Sequence, residues 1–143
     1  MSPMSTNEEK KVAAQQKLRS WLDAKSNLDA SCVVHQALNV LASKWLLLIL
    51  LALTQRPKRN SELQRQIRGV SPKMLAQSLR QLEANGLVHR QVFAQVPPRV
   101  EYSLTPFGES IAPLLAELCD WSVTWEAQVQ TFQPAAGQQL GCD

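Results

Sequence analysis

Hydrophobic residues recur every three or four positions through most of this chain of 143 residues. This spacing is typical of amphipathic helices. It predicts helices over residues 8–25, 32–41, 44–53, 61–67 and 71–85, and a last helix that begins at Thr105. Residues 87–93 and 99–104 are instead rich in Val, Phe and Tyr, a composition that predicts two short strands. The pattern therefore predicts a mainly α fold with one small β-hairpin.

The segment 71–86 carries its own start and stop signals. Ser71 suits the N-cap, because its hydroxyl accepts a backbone N–H of the first turn. Pro72 suits the first helical position, where a missing N–H costs nothing. Gly86 supplies the left-handed conformation that commonly ends a helix. We therefore expect a short, well-delimited helix here.

This helix has an apolar side and a polar side, which lie almost opposite each other. The apolar stripe consists of Leu75, Leu79 and Leu82. The polar stripe consists of Lys73, Gln77 and Arg80. Lysine, glutamine and arginine side chains bond to base edges in the major groove of DNA. The stripe predicts a DNA-recognition helix, and a solvated face without a ligand is the alternative.

The segments on either side of this helix support DNA recognition. Two short helices joined by a glycine-containing turn, residues 68–70, match a helix-turn-helix. The two predicted strands follow, joined by residues 94–98, and Arg99 stands directly behind that proline-containing loop. A helix-turn-helix followed by a hairpin with a basic edge predicts a winged helix. The wing would offer a second contact to the DNA backbone or minor groove.

The last predicted helix carries a heptad-like apolar seam. The seam consists of Phe107, Ile111, Leu114, Leu118, Trp121 and Trp125. Pro113 is expected to bend the helix near its first third. One recognition helix reads too few base pairs for specificity, and the seam needs a partner. Both observations favour a dimer.

Positive charge is concentrated in the middle of the chain. Residues 56–99 hold nine basic and two acidic residues, a net charge of +7, whereas residues 100–143 hold six acidic residues and no basic one. The whole chain carries only +3. A polyanion such as double-stranded DNA is the expected partner of the middle segment. The residues predicted to contact phosphate or the minor groove are Ser71, Lys58, Arg59, Arg65 and Arg99.

Several other classes of protein are not expected. His35 and His89 have no nucleophile or carboxylate partner in their sequence context, so no enzyme is predicted. Neither a glycine-rich phosphate loop nor zinc-ligand spacing occurs, so no cofactor and no metal are expected. The apolar run 45–53 is nine residues long, well short of the roughly 20 needed to span a bilayer. The three cysteines form an odd, widely spaced set, which favours reduced thiols in the cytoplasm.

A set of short motifs occurs in one order between residues 32 and 121. They are Cys32-Val33-Val34, Lys44-Trp45, Glu62-Leu63, residues 71–75, residues 79–88, residues 96–105 (Val-Pro-Pro-Arg-Val-Glu-Tyr-Ser-Leu-Thr), Gly108 and residues 118–121. In this order they resemble the HxlR-type winged-helix transcriptional regulators, relatives of the MarR superfamily. Two positions depart from the family pattern. Val33 stands where the family usually has proline, and Asn60 where it often has an aromatic residue.

The resemblance implies a homodimeric, sequence-specific DNA-binding repressor or activator, with N- and C-terminal dimerisation helices and an inverted-repeat operator. The expected organisation is an N-terminal extension with a helix (residues 1–30), a winged-helix DNA-binding and dimerisation domain (31–129) and a flexible tail (130–143). The extension is longer than is usual in the family, so its role is not inherited.

The cysteines allow two interpretations. Cys32 lies near a predicted helix start, where backbone N–H groups favour the thiolate. In relatives the equivalent cysteine senses oxidants, quinones or aldehydes, which implies a small oxidant or electrophile as effector. The alternative is a small buried hydrophobe. Cys119 is either a partner for Cys32 of a second subunit or a packed side chain, and Cys142 in the tail is regarded as incidental.

A winged-helix adaptor that binds protein and not DNA is the main alternative function. The net charge of +7 over residues 56–99 argues against it, because an adaptor has no need of that charge.

Overall fold

The computed structural model describes residues 5–24, 28–29 and 32–133. Its elements, in chain order, are α1 (Thr6–Ala24), α2 (Val33–Leu41), α3 (Lys44–Leu53), α4 (Asn60–Gln66), α5 (Pro72–Ala84), β1 (Val88–Phe93), β2 (Arg99–Leu104), α6 (Pro106–Glu109), α7 (Ala112–Thr124) and α8 (Glu126–Val129). The predicted fold, mainly helical with one small hairpin, is confirmed. Contacts between residues divide the chain into two compact units, 1–40 and 41–143.

The first unit contains α1 and nearly all of α2. No residue of α1 is buried. Cys32 comes directly before α2, and its carbonyl oxygen accepts the Gln36 backbone N–H at 3.0 Å. Its side chain is buried, with a relative exposure of 9%. The predicted position of Cys32 at a helix start is thus confirmed.

The second unit has a leucine-rich core formed mainly by α3, α4 and α5. Its buried residues include Leu46, Ile49, Leu50, Leu53, Leu63, Leu75, Leu79 and Leu82. Helix α3 is apolar nearly all round but buries only part of its surface, since Leu48 and Leu51 stay exposed. Helix α3 is therefore central to the fold on one side only.

The hairpin pairs β1 and β2 in antiparallel register, from Val88 opposite Leu104 to Phe93 opposite Arg99. A third segment joins this hairpin. The Lys58 N–H donates to the Tyr102 carbonyl at 2.9 Å, and the Tyr102 N–H donates to the Lys58 carbonyl at 2.8 Å. The turn between α3 and α4 is thereby fixed to the inner part of the wing.

The spacing of Ser61 and Gln64 predicts a capping box at the start of α4, but the helix begins earlier. Its N-cap is Arg59 and not Ser61. The carboxylate of Glu62 accepts the Arg59 backbone N–H at 3.3 Å and also forms a salt bridge with Arg56. These hydrogen bonds, from Arg56 first and then from Arg59, lower the pKa of Glu62. The capping contact is therefore made by Glu62 at a cap two residues upstream, and not by Gln64, whose side-chain amide donates to the Val70 carbonyl.

The last predicted helix is not continuous. It is divided into α6, α7 and α8, and the first break falls at Ser110 and Ile111, just before Pro113. Proline has no N–H to donate to the carbonyl four residues earlier, which is that of Glu109, the last residue of α6. The expected bend is therefore a break. The predicted seam is split as well, because Ile111 is buried whereas Phe107, Leu114 and Leu118 are exposed.

No single described helix is both long and apolar enough to cross a membrane; α2 and α3 reach that length and hydropathy only together, with a break between them. The predicted flexible tail lies mostly outside the described residues, which end at 133.

Candidate nucleic-acid interface

Helix α5 is held at both ends by the residues that predicted it. The Ser71 hydroxyl oxygen accepts the Met74 backbone N–H at 3.0 Å, and Pro72 occupies the first helical position. Gly86 follows the helix with a φ of +76°, in the left-handed region that glycine adopts without strain. The Ser71 hydroxyl is thus engaged in an intramolecular hydrogen bond, although Ser71 is exposed at the amino end of the helix.

The two sides of α5 differ as the sequence predicts. Leu75, Leu79 and Leu82 are at most 1% exposed, and Ser78 is buried beside them. The exposed side includes Lys73, Gln77 and Arg80. One side of the helix is therefore fixed in the core, and hydrogen-bond donors project from the surface. This is the geometry that a major-groove reading helix needs.

The turn before α5 is fixed by contacts with α3 and α4. Gly69 has a φ of +90°, which an L side chain rarely adopts, and the Trp45 ring of α3 lies beside it. The side-chain amide of Gln64 in α4 donates to the Val70 carbonyl, and Val70 is buried. The approach to the amino end of α5 is therefore rigidly defined.

The wing carries Arg99 at its outer end. Its guanidinium carbon lies 4.0 Å from the centroid of the Phe93 ring, a cation–π contact. Its Nε lies 3.5 Å from a carboxylate oxygen of Glu101, and its side chain is 30% exposed. The loop between the strands has a cis peptide between Val96 and Pro97, and Val96 is fully exposed. Arg99 is thus partly accessible and already engaged within the wing.

The other predicted phosphate contacts occupy different positions. Arg59 and Arg65 are exposed, at the start of α4 and within it. Lys58 is only 2% exposed, and its ammonium donates to the side-chain oxygens of Gln55 and Gln66. The prediction that Lys58 contacts phosphate is therefore corrected, because DNA cannot reach a buried ammonium.

The environment of Lys58 disfavours the charged, protonated form of its side chain. Burial lowers the pKa of Lys58, the nearby positive charge of Arg56 lowers it further, and Glu62 opposes this effect. The sequence did not indicate this burial, because Gln66 and Tyr102, which also bond to Lys58, lie on α4 and β2. Its neighbours along the chain form a basic turn that looks solvated.

Within the described residues neither predicted sensing cysteine forms a disulfide; Cys32 is buried, and Cys119 is half-buried on α7. Cys142 lies outside the described residues. His35 and His89 are exposed. Among the residues that the structure describes, no group of three or more His, Cys, Asp or Glu side chains is placed to hold a metal ion.

Comparisons with known proteins identify related helix-turn-helix proteins. A family model described as HxlR-like helix-turn-helix matches residues 40–130. The chain is 52% identical over 91 residues to YkvN of Bacillus subtilis (strain 168), an uncharacterized HTH-type transcriptional regulator. That similarity covers 64% of this chain and 77% of YkvN.

Two solved structures are similar along most of their length. The redox regulator HypR in its reduced form gives a TM-score of 0.66 at 35% identity, covering 71% of this chain and 100% of HypR. The reduced form of the transcriptional regulator YodB from B. subtilis gives a TM-score of 0.59 at 35% identity, covering 66% of this chain and 93% of YodB.

Proposed function

Because this chain belongs to the HxlR-like helix-turn-helix family, we propose that it is a transcriptional regulator that binds an inverted-repeat DNA operator as a homodimer. The observation that carries the proposal is the exposed polar side of α5. Its donors stand on a helix that is capped at Ser71 and anchored by three buried leucines.

In this proposal Lys73, Gln77 and Arg80 face base edges in the major groove. Arginine and lysine pair with guanine O6 and N7, and glutamine pairs with adenine N6 and N7. The rigid turn at Gly69 supports this role, because base reading requires side chains that are held in one register. Residues on a mobile segment would lose that register and contribute charge alone.

The exposed residues around α5 are proposed to contact the DNA backbone. They are Ser71, Arg59, Arg65 and Arg99. Such contacts fix the orientation of a protein on the duplex but carry no direct sequence information. Arg99 reaches DNA only by competing with Glu101 for its guanidinium, because the two side chains are paired in the free wing. We therefore assign Arg99 a smaller electrostatic contribution than Arg59 or Arg65.

Exposed aromatic and aliphatic side chains on α7 and at its C-cap, Trp125, support the homodimer. Leu114, Leu118, Trp121 and Trp125 are 45–61% exposed and recur at helical spacing. Exposed apolar patches of this kind mark interaction surfaces in soluble proteins. A second copy of the chain is the proposed partner, because a two-fold dimer would present two copies of α5 to successive major grooves.

The proposal includes a redox response, in which oxidation of the Cys32 thiol changes DNA binding. HypR, a relative in fold and sequence, is described as a redox regulator, and Cys32 lies directly before α2. Its low exposure of 9% limits the access of a reagent. The proposal therefore requires that the thiol becomes accessible when the chain moves.

Treatment with diamide is expected to weaken operator binding by about 5–150-fold, the usual size of coupling between two sites. A Cys32→Ser variant should keep its affinity, and Cys119→Ser should show whether the second thiol takes part. Fluorescence anisotropy with operator DNA before and after treatment measures the change. If the wild-type protein keeps full affinity after its thiols are modified, Cys32 is a packed side chain and not a sensor.

Arg80→Ala tests base reading by α5. It should weaken binding to an operator selected from random DNA by about 1–3 kcal/mol and relax the preference at one position of each half-site. The matched control is Arg65→Ala on α4, which should weaken operator and random DNA about equally. Competition gel shifts on both DNAs provide the measurement. Equal weakening of both DNAs by Arg80→Ala would reduce that residue to a phosphate contact.

A further inference from the structure

The burial of Lys58 is unusual for a residue with a charged side chain. Among the residues that the structure describes, it is the one charged side chain that is buried. Removing an ammonium from water is costly unless the protein supplies hydrogen bonds in return. The groups that bond to Lys58 therefore indicate which parts of the structure its burial holds together.

The ammonium of Lys58 joins the ends of two helices. It donates to Gln55 Oε1 at 2.8 Å and to Gln66 Oε1. Gln55 lies two residues after α3, and Gln66 is the last residue of α4. The carboxyl ends of helices carry partial negative charge, which favours a cation nearby. Both acceptors are neutral amides, so the site holds one buried positive charge between two helix ends.

The backbone of the same residue is bonded to the wing. The Lys58 N–H and carbonyl form two hydrogen bonds with Tyr102, at 2.9 and 2.8 Å. Tyr102 lies in the middle of β2, and its partner across the hairpin is Arg90. Through its side chain and its backbone, Lys58 thus connects the end of α4 to the wing.

We propose that Lys58 is a positioning residue for DNA binding, which fixes the wing relative to α4 and α5 without touching DNA. This inference rests on the proposed function, because α5 and the wing must contact one duplex together. Two rigidly connected contacts lose less freedom on binding than two loosely connected ones. A looser wing would therefore weaken operator binding even with every DNA-facing side chain in place.

Lys58→Met tests this role, because methionine fills a similar volume without the ammonium. The two acceptors left behind, Gln55 and Gln66, are exposed and can bond to water, so the variant is expected to fold. Operator affinity should fall about tenfold, within the usual range of coupling between two sites. The slope of log K against log salt should not change, since no phosphate contact is lost. Hydrogen exchange of the Tyr102 amide should speed up while the amides of α5 keep their protection.

The matched control is Arg59→Met, one position further along the chain and exposed. It should reduce the salt slope by about 0.9, the value expected for one phosphate contact, and leave Tyr102 exchange unchanged. If Lys58→Met does not fold, Gln66→Met removes one acceptor of the ammonium and should speed up Tyr102 exchange in the same way.

Three results would overturn the inference. A flatter salt slope in Lys58→Met would make Lys58 a phosphate contact. If a folded Lys58→Met protein keeps its operator affinity, Lys58 has no role in operator binding. If hydrogen exchange of the Tyr102 amide is unchanged in the folded variants, the Lys58 side chain does not connect α4 to the wing. The exchange measurement uses protein without DNA, so it tests the connection even if the wild-type chain binds no DNA and the proposed function fails.

Discussion

Replacing Trp121 and Trp125 together by alanine should convert the proposed dimer to a monomer and weaken operator binding by about 10²–10⁴-fold, the usual gain from linking two binding events. These side chains are 48% and 50% exposed in the single chain and lie four residues apart, one turn of α7 and its C-cap. Once the dimer is lost, the second half-site no longer binds intramolecularly, and the gain from effective concentration disappears. Sedimentation velocity and operator titration of the same sample measure both changes.

The matched control for this variant is Val123→Ala. Val123 is 74% exposed on the same helix but points away from the side that Trp121 and Trp125 share. It should leave the dimer and the operator affinity unchanged. Binding to DNA that contains one half-site should be weak and similar in all three proteins. A double tryptophan variant that remains a dimer with full operator affinity would show that α7 is not the interface.

Replacing Gly108 by alanine should lower the free energy of unfolding by about 3 kcal/mol, the upper range for forced overpacking. An added Cβ would lie 2.0 Å from the Leu87 carbonyl oxygen and 3.0 Å from its carbon. Both are backbone atoms, and the Thr105 N–H already donates to that oxygen at 3.1 Å. The chain therefore has to shift where α6 meets the start of the hairpin. A chain of this size should lose about 10 °C in melting temperature, measured by circular dichroism.

Gly86→Ala separates steric contact from backbone strain. Gly86 has a φ of +76°, but no heavy atom lies within 4 Å of a Cβ built there. This variant should lose only about 1 kcal/mol, the cost of a left-handed conformation for alanine. A Gly108→Ala protein that melts at or above the temperature of Gly86→Ala would contradict the close approach to Leu87.

The elements around the candidate interface could be predicted because their signals are local. Ser71 with Pro72 and Thr105 with Pro106 each begin a helix, and both hydroxyls accept the expected backbone N–H at 3.0 Å. The apolar stripe of α5 and the valine-rich strands are also properties of short segments. Sequence spacing alone was therefore sufficient to place α5 and the β-hairpin.

The features that could not be predicted depend on distant residues. Lys58 is buried because Gln66, eight positions later, and Tyr102, far along the chain, both bind it. On either side of the break before Pro113, where the proline predicts a bend, the apolar residues keep heptad spacing. In that region Ile111 and Leu115 enter the core while Leu114 stays outside. The spacing of apolar residues gave no sign of which of them the rest of the fold would cover.

Selection of binding sites from a random double-stranded DNA library tests whether a dimer presents two copies of α5 to one operator. We expect an enriched inverted repeat whose half-site centres are about 10 base pairs, one helical turn, or a multiple of that spacing apart. Enrichment of a single asymmetric site, or no enrichment at all under conditions in which the protein is folded, would contradict it.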